Sequence, residues 1–145
     1  MNIVLMTEEN YKAAAKIAAE NLAEAWSEQT YFKQLSNPND TTYLAQENGV
    51  YCGFLSLWYV LGEIEINNIA VSKDFRRRGI AAQLLKRMEN DFTQAVSCVL
   101  EVRESNAPAI ALYESFGFKA EGKRKDFYSA PTENAVIMVK RYQNT

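Results

Sequence analysis

Residues 63–81 read Glu63-Ile64-Glu65-Ile66-Asn67-Asn68-Ile69-Ala70-Val71-Ser72-Lys73-Asp74-Phe75-Arg76-Arg77-Arg78-Gly79-Ile80-Ala81. The first nine alternate as a half-buried strand does, but in two phases. Ile64 and Ile66 share one parity, whereas Ile69 and Val71 share the other. Successive strand residues face opposite sides of a sheet, so the hydrophobic set has slipped by one residue. An extra residue near Asn67-Asn68, a β-bulge, accounts for the slip and leaves backbone groups without ladder partners. The alternatives are a strand that stops early or one buried on both faces. The stretch then becomes a basic loop, Arg76-Arg77-Arg78, followed by Gly79 and the opening of an amphipathic helix. Unpaired N–H groups at a helix start attract anions, helped by the helix dipole. Gly79 lets the backbone approach a ligand closely. No Gly-Lys-Ser/Thr follows, so this is not a P-loop. The context predicts a phosphate site over Arg76–Ala81; a solvated basic loop is the plainer alternative.

Outward from this stretch, the N-terminal side begins with a short strand, Ile3–Met6. A helix follows over Thr7–Trp26, with Tyr11, Ala14, Ala15, Ala18 and Leu22 on one face. Ser27 is placed to cap a second short helix ending near Leu35. Asn37-Pro38-Asn39-Asp40 breaks the chain. Thr41–Glu47 and Val50–Val60 form a hairpin through Asn48-Gly49, and Leu61-Gly62 turns into the strand Glu63–Val71. On the C-terminal side, Gly79–Phe92 is helical and Val96–Val102 is an apolar strand. A helix over Pro108–Phe116 stops at Gly117. Phe118–Lys123 and Ala135–Lys140 are strands. The order predicts an α/β sheet with helices on its faces, in one domain spanning residues 1–145.

Composition narrows the chemistry. The 48% hydrophobic and 23% charged content is that of an ordinary globular chain, and the net charge of −2 offers no footprint for nucleic acid. No apolar run approaches the roughly 20 residues of a membrane span. Met1–Met6 lacks the basic segment of a signal peptide. Cys52 and Cys98 sit in strand-like runs and read as small buried hydrophobes, which suits a reducing cytoplasm. The chain has no histidine, so Ser-His and Cys-His nucleophile pairs and imidazole metal sites are excluded. No metal is expected.

Glu101 lies inside Val99-Leu100-Glu101-Val102. A lone carboxylate in an apolar strand must be solvated, paired or used. It shares a strand face with Arg103, so an ion pair is the plainer reading. Tyr113 lies on a helix with Ala109, Leu112 and Phe116, where it reads first as a core aromatic.

In this order, these features resemble the GCN5-related N-acetyltransferase superfamily. Arg76-x-x-Gly79-x-Ala81 matches its acetyl-CoA loop, Q/R-x-x-G-x-G/A, at every defined position. Asn68-Ile69-Ala70-Val71, Leu100-Glu101-Val102-Arg103-Glu104-Ser105-Asn106 and Ala109–Phe118 resemble, more closely, its ribosomal-protein-alanine N-acetyltransferases (the RimI group). The resemblance covers about the last two thirds of the chain. Two details depart from it: Pro108 replaces a small helix former, and Arg124–Tyr128 keeps a tyrosine where the group tends to have an aromatic pair. The resemblance implies a mixed, mostly antiparallel sheet of about seven strands, with a splayed, bulged central strand and about four flanking helices. It implies acetyl-CoA as co-substrate, with Ile69, Ala70 and Val71 offering backbone groups to the pantetheine arm. Arg76, Arg77, Arg78, Gly79, Ile80 and Ala81 would hold the pyrophosphate, and Asn106 would contact the cofactor near the thioester. Glu101 would serve as base and Tyr113 as acid. The implied acceptor is the N-terminal alanine of a ribosomal protein.

Such an acceptor asks little of a base. An α-amine titrates at about 7.7–8.0 and lysine at about 10.4. Near pH 7.5 roughly a third of the former is neutral, against about 0.1% of the latter. Two other readings compete. One is an acetyltransferase for lysine, a polyamine or another small amine, with Glu63 and Glu65 as base or cation site. The other is a non-catalytic acyl-CoA sensor, which would need neither Glu101 nor Tyr113.

Overall fold

The computed structural model describes residues 1–142. The elements run β1 (Asn2–Leu5), α1 (Tyr11–Asn21), α2 (Glu28–Gln34), β2 (Asp40–Glu47), β3 (Val50–Val60), β4 (Glu63–Val71), α3 (Ile80–Asp91), β5 (Ser97–Arg103), α4 (Ala107–Ser115), β6 (Lys119–Ser129) and β7 (Thr132–Arg141). The strands form one sheet in the order β1-β2-β3-β4-β5-β7-β6. Only the β4–β5 pair is parallel. Helices cover both faces, as the alternating strands require. Ile64, Ile66, Leu100 and Val102 pack with Ile80, Leu84, Leu85 and Met88 of α3 and Tyr113 of α4. On the opposite face Leu44, Phe54 and Ala70 pack with Ala14, Ile17 and Ala18 of α1 and Tyr31 of α2.

The bulge in β4 is present. Ser56 opposes Asn68 and Leu57 opposes Ile66, which leaves Asn67 as the extra residue. Ile69 and Val71 therefore join Ile64 and Ile66 on the α3 face, and Ala70 turns to the α1 face. Gly53 lies beside the bulged strand. A Cβ there would stand 3.2 Å from both the Ala70 carbonyl oxygen and Ile80 Cγ2, so α3 begins close against the sheet only because that atom is missing.

Several boundaries differ from the sequence-based expectation. The first helix spans Tyr11–Asn21 rather than Thr7–Trp26. At its start, Asn10 Oδ1 accepts from the Thr7 N–H and Thr7 Oγ1 accepts from the Glu9 N–H; such side-chain turns compete with helix. At its end, Leu22 is extended, and residues 22–26 pass along the sheet. The last two strands form a longer hairpin than the apolar runs predicted. β6 is exposed along nearly its whole length, so no hydrophobic alternation marks it, and pairing with β7 defines it. Ser27 caps α2 as expected, its hydroxyl accepting from the Thr30 N–H at 3.2 Å. Among the described residues no helix is long and apolar enough to cross a membrane.

Candidate active site

The β4–β5 ladder covers only Glu63–Ile66 and Ser97–Leu100. Beyond Asn67 the two strands separate, and a groove of about 580 Å³ runs through the gap. The α1–α2 connection lines it on one face of the sheet, with Glu24 and Trp26. Asn106, Ala109 and Tyr113 line it on the other. Its lining therefore comes from both faces of the sheet. A groove of this size suits small-molecule chemistry.

On the α3 side, Gly79 is the residue before the helix, with φ 76° and ψ 17°. A Cβ there would meet nothing within 4 Å, so glycine is favoured by left-handed backbone, not by crowding. The first N–H groups of α3 have no intrahelical carbonyl to reach and remain available to an anion. The three preceding arginines divide their work. Arg76 is turned back, its Nε donating to the Val71 carbonyl at 3.2 Å and its Nη2 to Asn21 Oδ1 at 3.0 Å. Arg78 pairs with Glu47 at 3.3 Å and lies over the Phe75 ring. Arg77 is exposed. Just past β4, the Ser72 N–H donates to the Cys52 carbonyl. By ladder alternation Ala70 directs its backbone groups toward β3, while Ile69 and Val71 direct theirs toward the gap. Helix start and free strand edge together fit a diphosphate with an extended, amide-bearing arm.

Glu101 and Tyr113 line the same groove. Glu101 Oε2 is buried with no hydrogen-bond partner, and Oε1 lies 3.7 Å from Arg124 Nε. The expected Glu101–Arg103 pair is absent. Arg103 donates instead to Glu24 at 2.9 Å, to Glu133 at 3.3 Å and to the Pro131 carbonyl at 2.9 Å, with its guanidinium 4.4 Å from the Tyr128 ring centroid. Tyr113 is 5% exposed and makes an edge contact with Phe118. Burial pushes its phenol above the ordinary tyrosine range, aided by Tyr128 and Cys98, so it holds its proton. Asn106 caps α4, its Oδ1 accepting from the Ala109 N–H at 3.3 Å. Pro108 sits within the first turn of that helix, where no hydrogen bond is lost.

The family model for acetyltransferases (GNAT) matches residues 9–118. The chain belongs to the GNAT acetyltransferase family. Acetyl-CoA is the donor this family uses. This acetyltransferase is 36% identical over 140 residues to the [ribosomal protein bS18]-alanine N-acetyltransferase of Salmonella typhimurium, covering 94% of each chain. It is 30% identical to the N-alpha-acetyltransferase RimI of Mycobacterium tuberculosis, over 79% of this chain and 75% of that one. The crystal structure of the ribosomal-protein-S18-alanine N-acetyltransferase from Escherichia coli superposes with a TM-score of 0.90 at 31% identity, covering 99% and 95% of the two chains.

Sequence reasoning missed one wall of the acetyltransferase's groove. Glu24, Trp26, Asn67, Phe127 and Tyr128 all line the groove. Phe127 and Tyr128 meet edge to face, with ring centroids 5.0 Å apart. Two adjacent aromatics in an otherwise charged segment were the available signal. Glu24 and Trp26 carried none, because they fell inside an expected helix.

Proposed function

We propose that this chain transfers the acetyl group of acetyl-CoA directly to the α-amine of an N-terminal alanine on a ribosomal protein, in the cytoplasm, as one domain spanning residues 1–145. The observation that carries this reading is the groove through the splayed sheet, with a free helix start at one side and Glu101 and Tyr113 inside. The names of the relatives support the acceptor. When bound, acetyl-CoA supplies an activated thioester. Arg76–Ala81 would hold its pyrophosphate through backbone N–H groups and Arg77, while Ile69 and Val71 hold the pantetheine arm at the free edge. Ala70, turned toward β3, would shape that edge rather than bond the arm. Asn106 would steady the donor near the sulfur while capping α4. Glu101 would accept the amine proton through its unpartnered oxygen, directly or by one water. Tyr113 would hydrogen-bond to the departing sulfur and pass its proton late, as the C–S bond breaks. The thiol's ordinary pKa near 8.5 lies below the phenol's, so the transfer is drawn forward by release of the thiol and reprotonation of the phenol from water. Much of the rate would come from holding both reactants in one groove.

The test is transfer of labelled acetyl from acetyl-CoA to peptides beginning with alanine, alongside the same peptides with a blocked α-amine and a free lysine. Label on the α-amine alone is the expected result. Label on lysine would move the chain to a side-chain or small-amine acetyltransferase. Binding of acetyl-CoA without transfer to any amine would make it a sensor.

A further inference from the structure

The sheet face reached through the groove carries a row of residues brought side by side by strand register. Asp40 opposes Trp58, Trp58 opposes Glu65, and Glu65 opposes Val99. Directly opposed residues have Cβ atoms about 4.5–5.5 Å apart, so Trp58 stands in register between Asp40, which lines a neighbouring recess, and Glu65, which lines the reaction groove beside it. Trp58 is 41% exposed, which is unusual for a tryptophan in the middle of a sheet. A second recess of about 350 Å³ opens here, lined by Asp40, Trp58, Lys33 and Gln34. It shares Trp26 and Asn67 with the reaction groove and so continues it. Burial raises the Asp40 carboxyl above its ordinary value, yet neither Asp40 nor Glu65 forms an ion pair among the described residues. Lys33 lines the recess without coming within 4.0 Å of a carboxylate.

We infer that this recess is a second subsite of the acceptor groove, in which Trp58, flanked by Asp40 and Glu65, receives an arginine side chain of the acceptor downstream of its reacting amine. A planar guanidinium stacks on an indole face and donates sideways to carboxylates, a geometry that an ammonium reproduces poorly. From Glu101 the row lies two residues along β5 and two strands across. At about 3.3 Å per residue and about 4.8 Å per strand this is roughly 12 Å. An extended acceptor covers that distance in about three to four residues. The subsite therefore reads a position near the fourth residue and leaves the first to the reaction groove.

This inference rests on the proposed α-amine acetylation, and the test separates the two. Alanine-initiated peptides, neutral apart from one arginine placed in turn at positions two to seven, are compared with the all-neutral parent by kcat/KM. Arginine near position four should raise kcat/KM about five- to tenfold. Trp58→Ala and Asp40→Asn should each bring that ratio toward one, while Trp58→Phe, which keeps a ring, should retain part of it. Circular dichroism and thermal melting identify any variant that fails to fold, and Trp58→Phe then decides. Equal rates for every arginine position, or a preference unchanged in Trp58→Ala and Asp40→Asn, would overturn the subsite while leaving the α-amine reading intact. Absence of transfer to any of these peptides, the parent included, would overturn both.

Discussion

Tyr113→Phe removes one oxygen and leaves the ring in its contact with Phe118. Its melting temperature should stay near that of the parent, while kcat falls about 10²–10⁴-fold if the phenol is the acid. Glu101→Gln keeps the shape and loses the charge, and a drop in the same range is expected from steady-state kinetics. Wild-type rates in both variants across the pH range would remove the assigned roles. The two residues should also differ in pH behaviour. The Tyr113 phenol is raised by burial, so it stays protonated below the ordinary tyrosine value of about 10. The alkaline side of the kcat profile should therefore hold its plateau to at least that pH. Neither role was legible from Glu101 or Tyr113 alone. A carboxylate in an apolar strand and a tyrosine on a helix have ordinary structural readings, and only their convergence on one groove distinguishes them.

At the scale of elements, the α3 start and the Arg103 clasp govern different substrates. Gly79→Val places a β-branched residue at φ 76°, which costs about 1–3 kcal/mol of strain or forces the turn to change. Affinity for CoA, measured by calorimetry, should fall at least about tenfold while the domain still folds; unchanged affinity would remove the phosphate site. Arg103 ties the α1–α2 connection to the β6–β7 hairpin through Glu24, Glu133 and the Tyr128 ring. Arg103→Met should raise KM for the peptide about tenfold and leave KM for acetyl-CoA within about twofold, since Glu24 and Tyr128, which the clasp holds, line the groove away from the start of α3. Arg103→Lys should restore little, because an ammonium cannot reproduce the forked geometry. The helix start was readable because glycine after a basic run has a local cause. The clasp was not, because Glu24 and Arg103 are separated by 79 positions and meet only when α1 ends early.

For the molecule as a whole, charge and burial make two expectations. With a pI near 5.3 the chain should attract basic acceptors, and KM for an arginine-bearing peptide should rise with salt as screening sets in over about 8 Å at physiological strength. KM for acetyl-CoA, itself an anion, should follow a different salt dependence. Five of the eight tyrosines—Tyr31, Tyr43, Tyr113, Tyr128 and Tyr142—ionise above the ordinary value, chiefly through burial, with Tyr128 pushed up to about 12. Each keeps its proton in the folded state where the unfolded chain loses it, so stability present below about pH 10 is lost as pH rises further. Ultraviolet titration should show these five phenols resisting ionisation near pH 10 and losing their protons only as the fold is lost; ionisation of all five in one transition near 10 would contradict the buried positions. By itself, the sequence determined the strand and helix order, the bulge at Asn67 and the glycine-bearing start of α3, because each leaves a periodic or conformational mark within a few residues. Only the tertiary structure decided where α1 ends, which partner Arg103 takes, that β6 is a long strand, and that Asp40, Trp58 and Glu65 lie side by side. Those outcomes depend on register and on contacts between distant segments, and neither is expressed in local composition.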